Sequence, residues 1–127
     1  MIIGGVGCRK GASAAAITAA IETACARTGL AAGRVGALAT AAVKANEPGI
    51  VQAAAALGVP LILVSEPDLR AAGTRATTRS LRVMALMGVP SVAEAAALAA
   101  GGPAASLLAA RVVVGAVTCA LAETGAP

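Results

Sequence analysis

Two kinds of side chain are missing from this 127-residue chain: it has no histidine, and no phenylalanine, tyrosine or tryptophan. Without imidazole there is no histidine general base, no His-containing triad and no imidazole ligand for a metal. Without aromatic rings, neither a nucleobase nor a flat macrocycle can stack on a side chain. Charge is sparse as well, at 13% of residues. Ligand contact must therefore come from backbone amides, a few charges, hydroxyls and aliphatic surface.

The charge that is present is biased. Ten Lys and Arg against six Asp and Glu give a net charge of +4. That balance suits a small polyanion or polycarboxylate. Dense basic runs and interleaved aromatics, the usual marks of a nucleic-acid surface, are lacking, so no nucleic-acid partner is expected. Cys8, Cys25 and Cys119 are odd in number and show no CxxC spacing. They predict neither a disulfide framework nor a zinc site, but reduced thiols in a cytoplasmic protein with no metal and no cofactor. No secretory leader is expected, because Gly4 and Arg9 interrupt the chain before an apolar run can form. The apolar span from Val83 to Ala110 is broken by Pro90, Glu94 and Gly101-Gly102-Pro103 into pieces too short to cross a bilayer, so no membrane partner is expected.

Hydrophobic residues make up 58% of the chain, and much of that is alanine. A core of thin side chains lets helices and strands approach closely. The length fits one domain over residues 1–127. Ile2-Ile3 open a short first strand, followed by the glycine-rich stretch Gly4–Ser13. Helical spacing of Ile17, Ala20, Ile21, Ala24 and Cys25 predicts a helix from an N-cap at Ser13 to about Arg27. Arg34–Thr40 reads as a second strand, Glu47-Pro48 as the start of a second helix ending at Gly58, and Pro60–Val64 as a strand buried in a parallel sheet. Ser65-x-x-Asp68 caps a short helix to about Ala72, residues 73–80 form an exposed loop, and residues 80–87 form a short helix. Ser91-x-x-Glu94 reads as a capping box before an Ala/Leu helix that stops at Gly101-Gly102. Two β-branched runs around Gly115 read as a hairpin. The sum is an α/β fold of three layers, α/β/α, with a mixed, mostly parallel sheet and a C-terminal antiparallel hairpin.

The chemistry concentrates in Gly5-Val6-Gly7-Cys8-Arg9-Lys10-Gly11-Ala12-Ser13. Lys10 stands where a dinucleotide fingerprint needs glycine, and Ala12 where a P-loop needs lysine. What remains is a generic anion cradle. Gly5 and Gly7 permit positive φ and close ligand approach, the backbone from Gly5 to Gly11 can hold carboxylates, Arg9 offers a bidentate fork, and Ser13 opens a helix. Cys8 lies beside two cations, which favours thiolate, but no histidine exists to act as its base. Lys44 and Glu47 follow the second strand. With the glycine stretch and Ser65-Glu66 they are expected to line one crevice beyond the carboxyl ends of the strands. Arg75 and Arg79, with Arg70, Arg82 and neighbouring threonines, are expected to form a basic flap. Lys44 and Glu47 are the only catalytic candidates, as electrostatic stabiliser and general base.

The order and spacing of these motifs resemble a known family. They are Gly5-x-Gly7-Cys8-Arg9-Lys10-Gly11-x-Ser13, Leu38-Ala39-Thr40-x-x-x-Lys44-x-x-Glu47-x-Gly49, Leu57-Gly58-x-Pro60-Leu61 and Gly88–Leu98. Together they resemble the CobE proteins and the C-terminal domain of CbiG, over nearly the whole chain. The resemblance implies a role in cobalamin (corrin ring) biosynthesis, binding or handling a precorrin-type tetrapyrrole intermediate. A second implied role is opening a macrocycle lactone, as full-length CbiG does as cobalt-precorrin-5A hydrolase. A third is docking on another cobalamin-pathway enzyme without chemistry. Where many relatives carry acids, this chain has Ala42 and Asn46.

Overall fold

The computed structural model describes residues 1–77 and 91–125. The elements run β1 (Ile2–Cys8), α1 (Ala14–Arg27), β2 (Val35–Ala41), α2 (Pro48–Leu57), β3 (Leu61–Val64), α3 (Glu66–Gly73), α4 (Val92–Gly101), β4 (Ser106–Val114) and β5 (Val117–Glu123). One sheet takes the order β3-β2-β1-β5-β4. β3, β2 and β1 pair in parallel, while β5 pairs antiparallel with both β1 and β4. Only β5 therefore runs against the other four strands. α1 and α2 cover one face and α3 and α4 the other, each over its own apolar cluster. The expected α/β/α layers, mixed sheet and C-terminal hairpin are all present. The expected helix over 80–87 lies outside the described residues.

The helices begin and end where the local chemistry dictates. Ser13 takes an extended conformation and its hydroxyl accepts from the Ala16 amide at 3.1 Å, capping α1. Ser65 and Ser91 do the same for α3 and α4. Pro48 fills the first turn of α2, where its missing N–H costs nothing, and Gly58 ends that helix at φ 70°.

Two expectations about strands need correction. The glycine stretch is not a turn from Gly4 onward: β1 continues through Cys8, hydrogen-bonded to β5 along its whole length. The run Leu61–Val64 pairs in parallel with β2, as expected, but it forms the sheet edge and Leu63 is 46% exposed rather than buried. A continuous apolar run cannot by itself distinguish centre from edge.

Side chains alternate across β1. Ile2, Val6 and Cys8 join the α1/α2 cluster, whereas Ile3 packs with the α3/α4 cluster. Gly5 and Gly7 face α4. A Cβ on Gly5 would fall 1.9 Å from the Ala93 carbonyl oxygen and 2.8 Å from the Ala97 amide nitrogen. The backbone of α4 therefore lies directly on β1, with Ala93 and Ala97 completing the contact. Gly5 and Gly7 both have ordinary negative φ. Their expected role in ligand approach is thus overturned: the space beside them is filled by helix.

α4 is alanine-rich on every side, and its one acid, Glu94, is fully buried. Its carboxylate accepts from the Thr77 amide with one oxygen and from the Arg111 amide, at 2.8 Å, with the other. β4 spends nine residues against the seven of β5, with register shifts between Leu107 and Ala109 and between Ala109 and Val112. A bulge leaves an amide without a ladder partner, and the second shift spans Arg111, whose N–H turns to Glu94. Glu94 thus ties the end of the α3 segment to β4 through the buried helix. The Ser91 half of the capping box forms, but the Glu94 side chain serves elsewhere.

Gly5→Ala should destabilise the fold by about 1–3 kcal/mol or more, because both atoms it meets are helix backbone and cannot rotate away. The same change at Gly33, where a Cβ meets nothing within 4 Å, should be near neutral. Urea denaturation of the two variants measures the difference. Burial pushes the Cys119 thiol up from 9.0 to about 12. An acid whose folded value is raised loses its contribution as pH climbs from the unfolded value to the folded one. Unfolding free energy should therefore fall between pH 9 and 12, and less steeply in Cys119→Val.

Candidate functional site

β1 and β2 part company at their carboxyl ends. Their pairing stops at Gly5 with Ala39. Beyond it, Val6–Cys8 pair only with β5, while Thr40 and Ala41 pair only with β3. The buried Thr40 hydroxyl bridges the split by donating to the Val6 carbonyl at 2.8 Å. On the other side of β1, the Thr118 hydroxyl donates to the Gly7 carbonyl at 3.2 Å. Carbonyls left by the diverging ladder are thus satisfied without closing the gap above them.

Four helix N-termini meet this edge. α1, α2 and α3 each follow a parallel strand and so begin at its carboxyl end. α4 joins them from the other direction, with Val92 Cβ 3.7 Å from where a Gly7 Cβ would stand. Their dipoles all present positive ends here.

The turn proper is Arg9–Ser13. The Arg9 amide donates to the Ala116 carbonyl at 3.1 Å and the Ala12 amide to the Arg9 carbonyl at 3.2 Å. Gly11 alone in this stretch has positive φ, 84°, and open space around it. Its amide donates to Glu47 Oε2 at 3.1 Å. The first turn of α2 also rests on this loop: a Cβ on Gly49 would fall 2.1 Å from the Ala12 carbonyl oxygen. The turn and the β2–α2 connection are therefore joined by backbone contact and by a side-chain hydrogen bond, as the crevice expectation required.

Lys44 ends a 3₁₀ turn (Ala42–Lys44) just after β2 and is half-buried. Lys44 and Glu47 both act on the Cys8 thiol. Burial raises that thiol above its ordinary 9.0, Lys44 draws it down, and Glu47 pushes it up. The expected thiolate character of Cys8 is overturned, because burial outweighs the neighbouring cation. Cys8, Lys44 and Glu47 thus form one electrostatic cluster, flanked by the exposed Arg9, Lys10, Gly11 and Ser13. Val43, 72% exposed, lies beside Lys44 in sequence.

Arg75 lies elsewhere, whereas Ser65 and Glu66 sit at the carboxyl end of β3. The Arg75 guanidinium donates to the carbonyls of Leu98, Gly102, Pro103 and Ala105 at 3.0–3.4 Å, closing the C-terminal end of α4. Gly101 there neighbours Thr124, whose amide pairs with Met1. Arg75 therefore lies at the edge of the sheet opposite the glycine turn. Ser65 caps α3, and Glu66 pairs with Arg70 on the helix surface. Arg79 lies outside the described residues.

Sequence reasoning missed Thr40, Gly49 and the tether of Glu94. The signal for Glu94 was present: a helix that is apolar on all sides is buried, so its one carboxylate must be buried too. For Gly49 the signal was a glycine inside a helical first turn, which marks a close backbone approach.

The sheet thus splits beside its central strand, with cations and helix N-termini at its carboxyl edge, the place where ligands bind in open α/β sheets. The comparisons place it further. Residues 2–122 match the family described as cobalamin synthesis G C-terminus, and the chain belongs to that family. It is 35% identical over 118 residues to Protein CobE of Sinorhizobium sp, covering 93% of this chain and 77% of that protein. A crystal structure of CobE, a protein from the cobalamin (vitamin B12) biosynthetic pathway, superposes with a TM-score of 0.90 at 34% identity, over 96% of this chain and 89% of that one. The structure of the cobalamin biosynthesis protein chiG from Agrobacterium tumefaciens gives 0.78 at 40% identity, over 99% and 100% of the two chains.

Among the described residues, no helix is long and apolar enough to cross a membrane. The geometry of Cys8 makes a chemical prediction. Iodoacetamide should modify Cys8 more slowly than a free thiol at pH 7.5, with the rate rising as pH increases. Lys44→Ala should slow it further and Glu47→Gln should speed it, as read by peptide mass mapping. A wild-type rate above that of free cysteine would contradict the assignment.

Proposed function

We propose that this domain binds a polycarboxylate tetrapyrrole intermediate of corrin-ring synthesis at the carboxyl edge of β1 and β2. The observation that carries the reading is the joining of the Arg9–Ser13 turn to the Lys44–Glu47 segment through Gly11 and Gly49. That joint brings Arg9, Lys10 and Lys44 to one edge with a single carboxylate, Glu47, among them. Corrin precursors carry acetate and propionate arms around an apolar ring. Arg9 would take one arm in a bidentate pair, and Lys44 another as a point charge. With no aromatic residue in the chain, aliphatic side chains such as Val43 are what the ring can meet.

Hydrolysis of a macrocycle lactone is the finer alternative that family membership suggests. Its chemistry would fall to Glu47 activating water and to Lys44 stabilising the oxyanion. In the free protein one Glu47 oxygen is already engaged by the Gly11 amide. Docking on another pathway enzyme without chemistry is the remaining alternative.

Spectroscopic titration with a precorrin intermediate tests the binding reading. Arg9→Ala and Lys44→Ala should each weaken binding about three- to tenfold, the scale of one charge-assisted contact near a surface. Affinity unchanged in both variants would remove this edge from the site. Turnover of a lactone intermediate by the purified protein, lost in Glu47→Gln, would establish the hydrolase instead.

A further inference from the structure

Glu47 occupies the N-cap position of α2, yet its side chain makes no hydrogen bond to its own helix. It reaches across 36 positions of sequence to the Gly11 amide at 3.1 Å. The contact is solvent-exposed, so breaking it requires no repacking. The backbone on both sides is fixed, because Gly49 rests on the Ala12 carbonyl. Moving this carboxylate therefore needs only side-chain rotation. Two amides compete for it: that of Gly11, and that of Gly49 in the first turn of α2, where Pro48 has no N–H and the Ile50 amide already donates to the Glu47 carbonyl.

We propose that Glu47 is an internal competitor for the ligand's carboxylate. In the free protein it fills the Gly11 amide. When a ligand carboxylate takes that amide, Glu47 turns back onto the first turn of α2. The inference rests on the reading that a carboxylate-bearing ligand docks at this edge, and it adds a basis for selectivity. A tethered carboxylate competes at an effective concentration of roughly millimolar. A simple monoacid holding one amide does not displace it. A polycarboxylate, anchored at the same time by Lys44 and Arg9, does.

The test is a Soret-band titration with uroporphyrin I, an eight-carboxylate macrocycle, against wild-type protein, Glu47→Gln, Glu47→Asp and Lys44→Ala. Aspartate keeps the charge, is a favoured N-cap and is one methylene too short for the Gly11 contact. It should mimic the released state and also fold. Both Glu47 variants should bind about three- to tenfold more tightly than wild type, the scale of one exposed hydrogen bond. Tightening in Glu47→Gln alone would reduce Glu47 to a repelling charge and overturn the latch. So would a Gly11 amide resonance that does not move in ligand-free Glu47→Asp. Wild-type binding that Lys44→Ala weakens and Glu47→Asp leaves unchanged removes the latch but keeps the site. Absence of binding by all four proteins overturns the latch together with the polycarboxylate reading.

Discussion

The missing Cβ of Gly5 is the constraint on which the rest of the structure depends. The Ala93 carbonyl and the Ala97 amide occupy the place where that atom would stand. α4 can therefore lie with its backbone on the central strand, at a separation no larger residue permits. Close approach substitutes for bulk. With no aromatic ring and an alanine-rich interior, the chain gains van der Waals contact by bringing backbones together rather than by filling gaps. The same contact fixes the direction of α4, with its N-terminus beside Gly7 and its C-terminus near the start of β1. Two interactions then follow from that placement. Glu94 reaches a bulged amide of β4, and Arg75 collects the carbonyls that end the helix.

A second consequence concerns the opposite face. Because α4 holds β1 from one side and β5 pairs with it to its end, the last three residues of β1 are positioned without help from β2. β2 is free to follow β3 instead, and the sheet opens. Thr40 makes this opening tolerable by giving Val6 the hydrogen bond that a continued ladder would have supplied. The split, the turn above it and the first turn of α2 are thus one unit. Its polar groups are arranged by backbone geometry, and Arg9, Lys10, Lys44 and Glu47 add charge. A site built this way has its donors in place before a ligand arrives, which reduces the ordering cost of binding.

Most of this architecture was legible in the residues, and the exceptions have physical reasons. Serine caps, Pro48 and Gly58 marked the helices because capping is local chemistry that neighbours do not alter. Gly4–Cys8 was misread as a turn because glycine is the ordinary turn residue. Here it serves a tertiary contact with Ala93 and Ala97, eighty-odd positions away, which no local pattern encodes. The edge position of Leu61–Val64 is not legible, because apolar strands look alike wherever they sit in a sheet. The thiol of Cys8 was read from the charges beside it in sequence, but its burial beneath the turn is a property of the folded chain. Lys44 and Glu47 fall beside the glycine turn because the ends of parallel strands gather at one edge by topology alone. Arg75 was misplaced because the segment after α3 returns along the sheet to the far end of α4.

The position of Glu47 decides how the site is best understood. An acid among Arg9, Lys10 and Lys44 invites the reading of a general base, since a base needs a carboxylate held near cations and water. A base also needs a free oxygen aimed at the reacting centre. One Glu47 oxygen accepts from the Gly11 amide and the other makes no such bond, while the side chain makes no hydrogen bond to its own helix. That arrangement stabilises the empty turn and costs little to undo. The proposed selection of ligands by how many carboxylates they bring rests on that balance. The chain has no histidine to share proton transfer, and its thiol is held neutral by burial. Under the proposed reading, recognition of charge falls to Arg9, Lys10, Lys44 and the Gly11 amide.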